Sequence, residues 1–125
     1  MIGDELRQRS RRFALDVIDL CEALEGTRGA RIIGQLFRAG TGVAANHRAA
    51  GHSRSTREYI ARVGVVIEEA DESELWLDVL ETKGHGPLAT VSRLRQEATE
   101  LRAIFAACRR TAIRRQKLRR AQRPS

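Results

Sequence analysis

Between Tyr59 and Leu80, apolar side chains return at intervals of three, four or seven residues, with no proline to interrupt them. Tyr59, Ile60, Val63, Val66, Ile67, Ala70, Leu77 and Leu80 therefore share one face of a single helix, with Trp76 at its border. Extended to Lys83, this helix has about 28 residues and a length of roughly 42 Å. A chain of 125 residues holds so long a rod only when other helices lie beside it. The segment predicts a bundle.

Three further segments carry the same periodicity. The first runs from about Asp4 to Glu25, with Leu6, Phe13, Val17, Leu20 and Leu24 on its stripe, and Gly26 closes it. The second has Thr27 as its expected N-cap and carries Ile32, Ile33, Leu36, Phe37, Val43 and Ala44. Gly40 and Gly42 interrupt it at a cost of about 1 kcal/mol each relative to alanine. Small residues also let a neighbouring helix come close, and we read one continuous helix to Ala50, ended by Gly51.

Ser53 or Ser55 caps the long helix, and Glu58 stands where a capping box after Ser55 needs it. Gly84-His85-Gly86-Pro87 is the clearest turn. The last segment then carries Leu88, Val91, Leu94, Ala98, Leu101, Ile104, Phe105 and Cys108. Its stripe fades after Ile113, and the end either continues as a solvated helix or frays. Connections this short make successive helices antiparallel neighbours. The expected fold is all-α, an up-and-down four-helix bundle over residues 1–113 with a basic extension over 114–125.

Aromatics make up 4% of the chain, so aliphatic side chains and alanine fill the core. No apolar run approaches the ~20 residues that span a bilayer. The N-terminal residues lack a signal peptide's apolar stretch, and a cytoplasmic location follows as an expectation. Cys21 and Cys108 fall on apolar stripes and read as small core residues.

The net charge of +7 is unevenly placed. Arg109, Arg110, Arg114, Arg115, Lys117, Arg119, Arg120 and Arg123 follow one another with no acid among them, while residues 1–108 sum to −1. Such a run either aids solubility or contacts a polyanion by releasing counterions. No aromatic interleaves it to stack on bases, so binding would be electrostatic and weakly sequence-specific. Few apolar residues accompany the charges, which disfavours a membrane. Arg48, Arg54 and Arg57 are secondary phosphate candidates.

Enzymatic and metal chemistry lack a pattern. A di-iron bundle needs Glu-x-x-His pairs, but Ala44, Ala49 and Thr82 stand three residues before His47, His52 and His85. No nucleophile–base arrangement or phosphate-binding loop is legible. The acidic stretch Glu68 to Glu74 serves as a solvated face, or as a contact in which Glu69 and Glu72 pair with Arg38, Arg48 or other cations. The expectation is a protein that is not an enzyme and binds no metal or cofactor.

One ordered set of residues goes further. Arg38-Ala39-Gly40-Thr41-Gly42-Val43-Ala44-Ala45-Asn46 is followed by Arg48, Ala50, Arg54, Ser55, Glu58-Tyr59-Ile60, Glu69-Ala70-Asp71-Glu72, Trp76-Leu77 and Leu80. In this set the chain resembles a family of bacterial four-helix-bundle proteins. The family includes proteins encoded within intervening sequences of large-subunit ribosomal RNA genes and the accessory variability determinant of diversity-generating retroelements. The resemblance implies a continuous second helix through the glycines and structural roles for Arg38, Gly40, Asn46, Glu58, Glu69, Glu72 and Trp76. It also implies a homopentamer and, for the retroelement relatives, binding to nucleic acid and to a reverse transcriptase. The expected function is a non-enzymatic nucleic-acid-binding scaffold; the alternative is a protein–protein adaptor, docking for example a reverse transcriptase.

Overall fold

The computed structural model describes residues 2–124. It contains four helices: α1 (Ile2–Leu24), α2 (Ala30–Gly51), α3 (Thr56–Lys83) and α4 (Leu88–Ala121). Each packs on its neighbours around the ring, α1 on α2, α2 on α3, α3 on α4 and α4 on α1, and among the described residues neither diagonal pair meets. This is the antiparallel up-and-down bundle that the short connections predict. The pairing of α1 with α4 is the slightest of the four.

The stripes meet along one axis. Phe13, Val17, Leu24, Leu36, Val43, Val63, Val66, Leu77, Leu80, Leu94, Leu101 and Phe105 lose essentially all their exposure there. Burying a side chain of this size stabilises the fold by about 1.5–3 kcal/mol relative to leaving it in water. Two stripe positions depart from expectation. Phe37 remains 44% exposed and Leu88 69% exposed. Phe37 lies about 100° around α2 from Leu36, beyond the core sector, and Leu88 is the first residue of α4, right after the turn from α3.

The glycine-interrupted segment stays helical, and its two glycines serve opposite neighbours. A Cβ on Gly40 would lie 2.7 Å from Val17 Cγ1, whereas one on Gly42 would lie 3.0 Å from Glu69 Cδ. Two residues apart on a helix means about 200° of rotation, so one glycine admits α1 and the other admits α3. Close packing offsets the propensity cost.

Caps and turns follow simple rules, with one correction. Gly26 and Gly84 take positive φ of 75° and 69° after α1 and α3, where side chains with a Cβ are strained. Ser55 Oγ accepts from Glu58 N at 3.1 Å, while the Glu58 carboxylate turns to Arg62 at 3.0 Å. Thr27, expected to cap α2, instead donates from Oγ1 to Leu24 O at 2.6 Å and accepts from Gly29 N at 3.2 Å. It closes α1 and orders the turn, and α2 begins three residues later, after a Gly29 that offers no side-chain cap. The connection is tight enough that the hydroxyl meets an orphan carbonyl of α1 before any N–H of α2.

Residues 114–121 continue α4 without a break. The helix has 34 residues, about 51 Å, against about 35 Å for α1 with 23.

Candidate nucleic-acid interface

Helix registry shows what the extra length does. Arg9 binds Glu97 through two bonds of 2.8 and 2.7 Å, and Arg93 reaches Asp16 at 3.3 Å. These antiparallel pairs put the start of α1 level with about Phe105. On the other side, Arg62 donates to Ala49 O at 2.5 Å, so α2 ends near the level of Ile60. Beyond these points α4 keeps only α3 beside it. Arg109 Nε donates to Ile60 O at 3.3 Å and Arg119 to Thr56 Oγ1 at 2.7 Å, tying the two helices into an arm.

The arm sorts the candidate cations by face. Arg110, Arg114 and Lys117 lie together with Ile113, Leu118 and Ala121 on the outward side. Spacings of three and four produce this face, and all three cations are exposed. Arg120 is exposed as well. Arg115 and Arg119 lie on the inward side, across from Arg54 of the α2–α3 connection, at an open groove of about 810 Å³. Arg109 is half-buried against α3. Arg48 and Arg57 are exposed on α2 and α3, and neither forms an ion pair among the described residues.

The groove is the feature that sequence reasoning missed. Tyr59, Ile104, Cys108, Thr111 and Ala112 line it below the three arginines. A signal was present, because the core spacing of α4 continues past Phe105 through Cys108 and Ala112 to Arg115 and Arg119. Recognising it as uncovered required the lengths of the other helices.

The family-motif residues sit elsewhere on α2 and α3, with Arg38, Glu69, Glu72 and Trp76 where these two helices meet and Gly40 turned toward α1. Arg38 pairs with Glu72 by a hydrogen bond and approaches Glu69 at 3.7 Å, and Trp76 Nε1 points to Glu72 at 3.4 Å. Of the cations considered for these acids, Arg38 takes both. Burial pushes the Glu69 carboxyl up, an effect that Arg38 opposes and Glu72 and Glu68 reinforce. Asn46 Nδ2 donates to Gly42 O at 2.9 Å, within α2. The Arg38 contacts tie α2 to α3, and the other two each lie within one helix.

Among the described residues, no three His, Cys, Asp or Glu side chains converge to hold a metal. Among the same residues, no helix is long and apolar enough to cross a membrane. Burial pushes the Cys21 thiol up to about 11, with Glu25 adding to it, and raises that of Cys108 too. Both are free.

An antiparallel four-helix bundle with helices of unequal length, one of them drawn out into a cationic arm, defines the class of protein. Residues 4–107 match the 23S rRNA-intervening sequence protein family. The chain belongs to that family. A solved structure of a protein of unknown function from the S23 ribosomal protein family of Bacteroides thetaiotaomicron shares the fold. It has a TM-score of 0.79 at 22% identity, over 88% of this chain and 99% of that one. No curated protein matches. The family match stops at residue 107, and the run of eight cations begins two residues later.

Proposed function

We propose that this protein is a non-enzymatic nucleic-acid-binding scaffold, built from identical copies and gripping phosphates with the outward face of α4. The observation that carries this reading is the placement of charge. Residues 1–108 are nearly neutral, whereas the arm beyond them has eight cations and no acid. Arg110, Arg114, Lys117 and Arg120 stand exposed on the helix, spaced to track a backbone of like charges. Arg119 and Arg109 spend hydrogen bonds on α3 and are weaker contributors.

Assembly multiplies the effect. The resemblance implies five copies, and phosphate binding by several arms acts together by raising the effective concentration of each. The exposed Phe37, Val65 and Leu75 on α2 and α3 supply apolar surface that a second copy would cover.

The test is a fluorescence titration of duplex and single-stranded nucleic acid at two salt concentrations, on protein of mass fixed by light scattering. Replacing Arg110, Arg114, Lys117 and Arg120 with alanine should weaken binding alike across sequences. On duplex it should flatten the log–log salt slope by about 0.9 for each phosphate no longer neutralised. Unchanged affinity would remove the arm from the interface and favour the adaptor reading.

A further inference from the structure

We propose that the groove on the inward side of the arm docks an amphipathic helix of a partner protein, acidic in its first turns and apolar in its last. Such docking goes beyond phosphate binding and uses a different face of α4.

Leu94, Ala98, Leu101, Phe105, Cys108, Ala112, Arg115 and Arg119 follow one another at alternating intervals of four and three, the rhythm of a packed helix seam. The first four are buried in the bundle, Cys108 and Ala112 are half-buried, and Arg115 and Arg119 are exposed. The seam therefore continues about 20 Å past the point where α1 begins. Thr56 and Tyr59 of α3 form the opposite wall, beside the end of α2 and the α2–α3 connection that carries Arg54. What remains open is the space beside α4 past the first turn of α1.

The groove's chemistry specifies its complement. Its inner part is apolar, at Ile104, Cys108 and Ala112, and its outer part is cationic, at Arg54, Arg115 and Arg119, with no acid in the lining. A helix continuing the line of α1 runs antiparallel to α4, so its N-terminal turns meet the arginines and its C-terminal turns meet the apolar floor. Acidic residues in the first turns match the arginines and also suit the positive end of the helix dipole. A nucleic-acid strand satisfies the arginines but leaves the floor unfilled, since Tyr59 is the one aromatic residue in the lining. A second copy of this arm brings more cations and no acid from residue 101 onward.

The experiment uses the full-length protein and a labelled synthetic helix of about 14 residues, with glutamates in its first two turns and leucines at i, i+3, i+4 and i+7 in its last two. Fluorescence anisotropy should show saturable binding, and docking should slow thiol-reagent labelling of Cys108 while leaving Cys21 unaffected. Arg115→Glu with Arg119→Glu should weaken binding by about tenfold or more. A peptide with lysines in place of its glutamates should then bind that variant, which a misfolded arm would not allow. Ala112→Trp, filling the floor, should also abolish binding. The variant lacking Arg110, Arg114, Lys117 and Arg120 should keep peptide binding while losing nucleic acid, so the two readings fail separately. A dissociation constant weaker than about 1 mM overturns the proposal. So does equal binding of a scrambled peptide of the same composition, or displacement of the peptide by RNA with no dependence on its leucines; either would make the groove part of the phosphate surface.

Discussion

Two glycines on α2 are the same residue in opposite circumstances. Gly34 has nothing within 4 Å of where a Cβ would stand, so Gly34→Ala should stabilise the protein by about 0.5–1 kcal/mol through helix propensity alone. At Gly40 the same methyl would lie 2.7 and 2.9 Å from the two Cγ atoms of Val17, a fully buried β-branched side chain with little freedom to turn away. Gly40→Ala should destabilise by about 1–3 kcal/mol as α1 is pushed off α2. Urea denaturation of both variants measures the contrast. His47 makes the second residue-scale prediction. Its ring lies 4.9 Å from that of Phe105, with Nδ1 3.3 Å from the buried Ser10 Oγ. Burial first, and Arg7 second, hold its pKa below the usual 6.5. The unfolded chain thus binds the proton more readily than the folded protein, so stability is intact above 6.5 and falls as pH drops below it. The melting temperature should fall between pH 7 and pH 5, and less so in His47→Phe; an identical fall in that variant would assign the effect to other groups.

Among the elements, α3 is fixed by local chemistry and α4 by its neighbours. Ser55 caps α3 with a hydroxyl that its sequence context announces, and Ser55→Ala should cost about 1 kcal/mol, measured by thermal unfolding. Thr27 shows the limit of the same reasoning. It is a good capping residue, but its hydroxyl goes to the last carbonyl of α1 because the turn is too tight for it to serve α2. α4 has no side-chain cap and long cationic stretches, yet it runs unbroken to Ala121. Bonds to α3 from Arg102, Arg109 and Arg119 support it along that length. Individually such bonds at or near the surface are weak, so the last turns of α4 depend on several acting together.

In the whole molecule, core and charge are separated along the bundle axis. Among the described residues, every fully buried large side chain lies at or before Phe105, whereas the cationic run begins at Arg109. A chain ended after Ile113 should therefore keep its cooperative melt within about 1 kcal/mol of the full-length protein while losing most of its nucleic-acid affinity. Calorimetry and a salt titration check the two halves of that statement. Loss of the melt would mean that the arm is part of the core.

The sequence by itself determined the helices, their order and the split between a neutral body and a basic end. Those properties reside in periodicity, turn residues and the distribution of charge, which are local quantities. Gly40 was legible as a small residue within a helix, although its partner Val17 was not. Tertiary structure alone decided that Gly40 faces α1 while Gly42 faces Glu69, that Arg38 rather than Arg48 takes the acids of α3, and that the arm's cations divide between two faces. It also decided that the seam of α4 outlasts α1 and α2 and leaves a groove. Each of these depends on the register of one helix against another, which is set by the summed packing of all four helices and is written in no single segment.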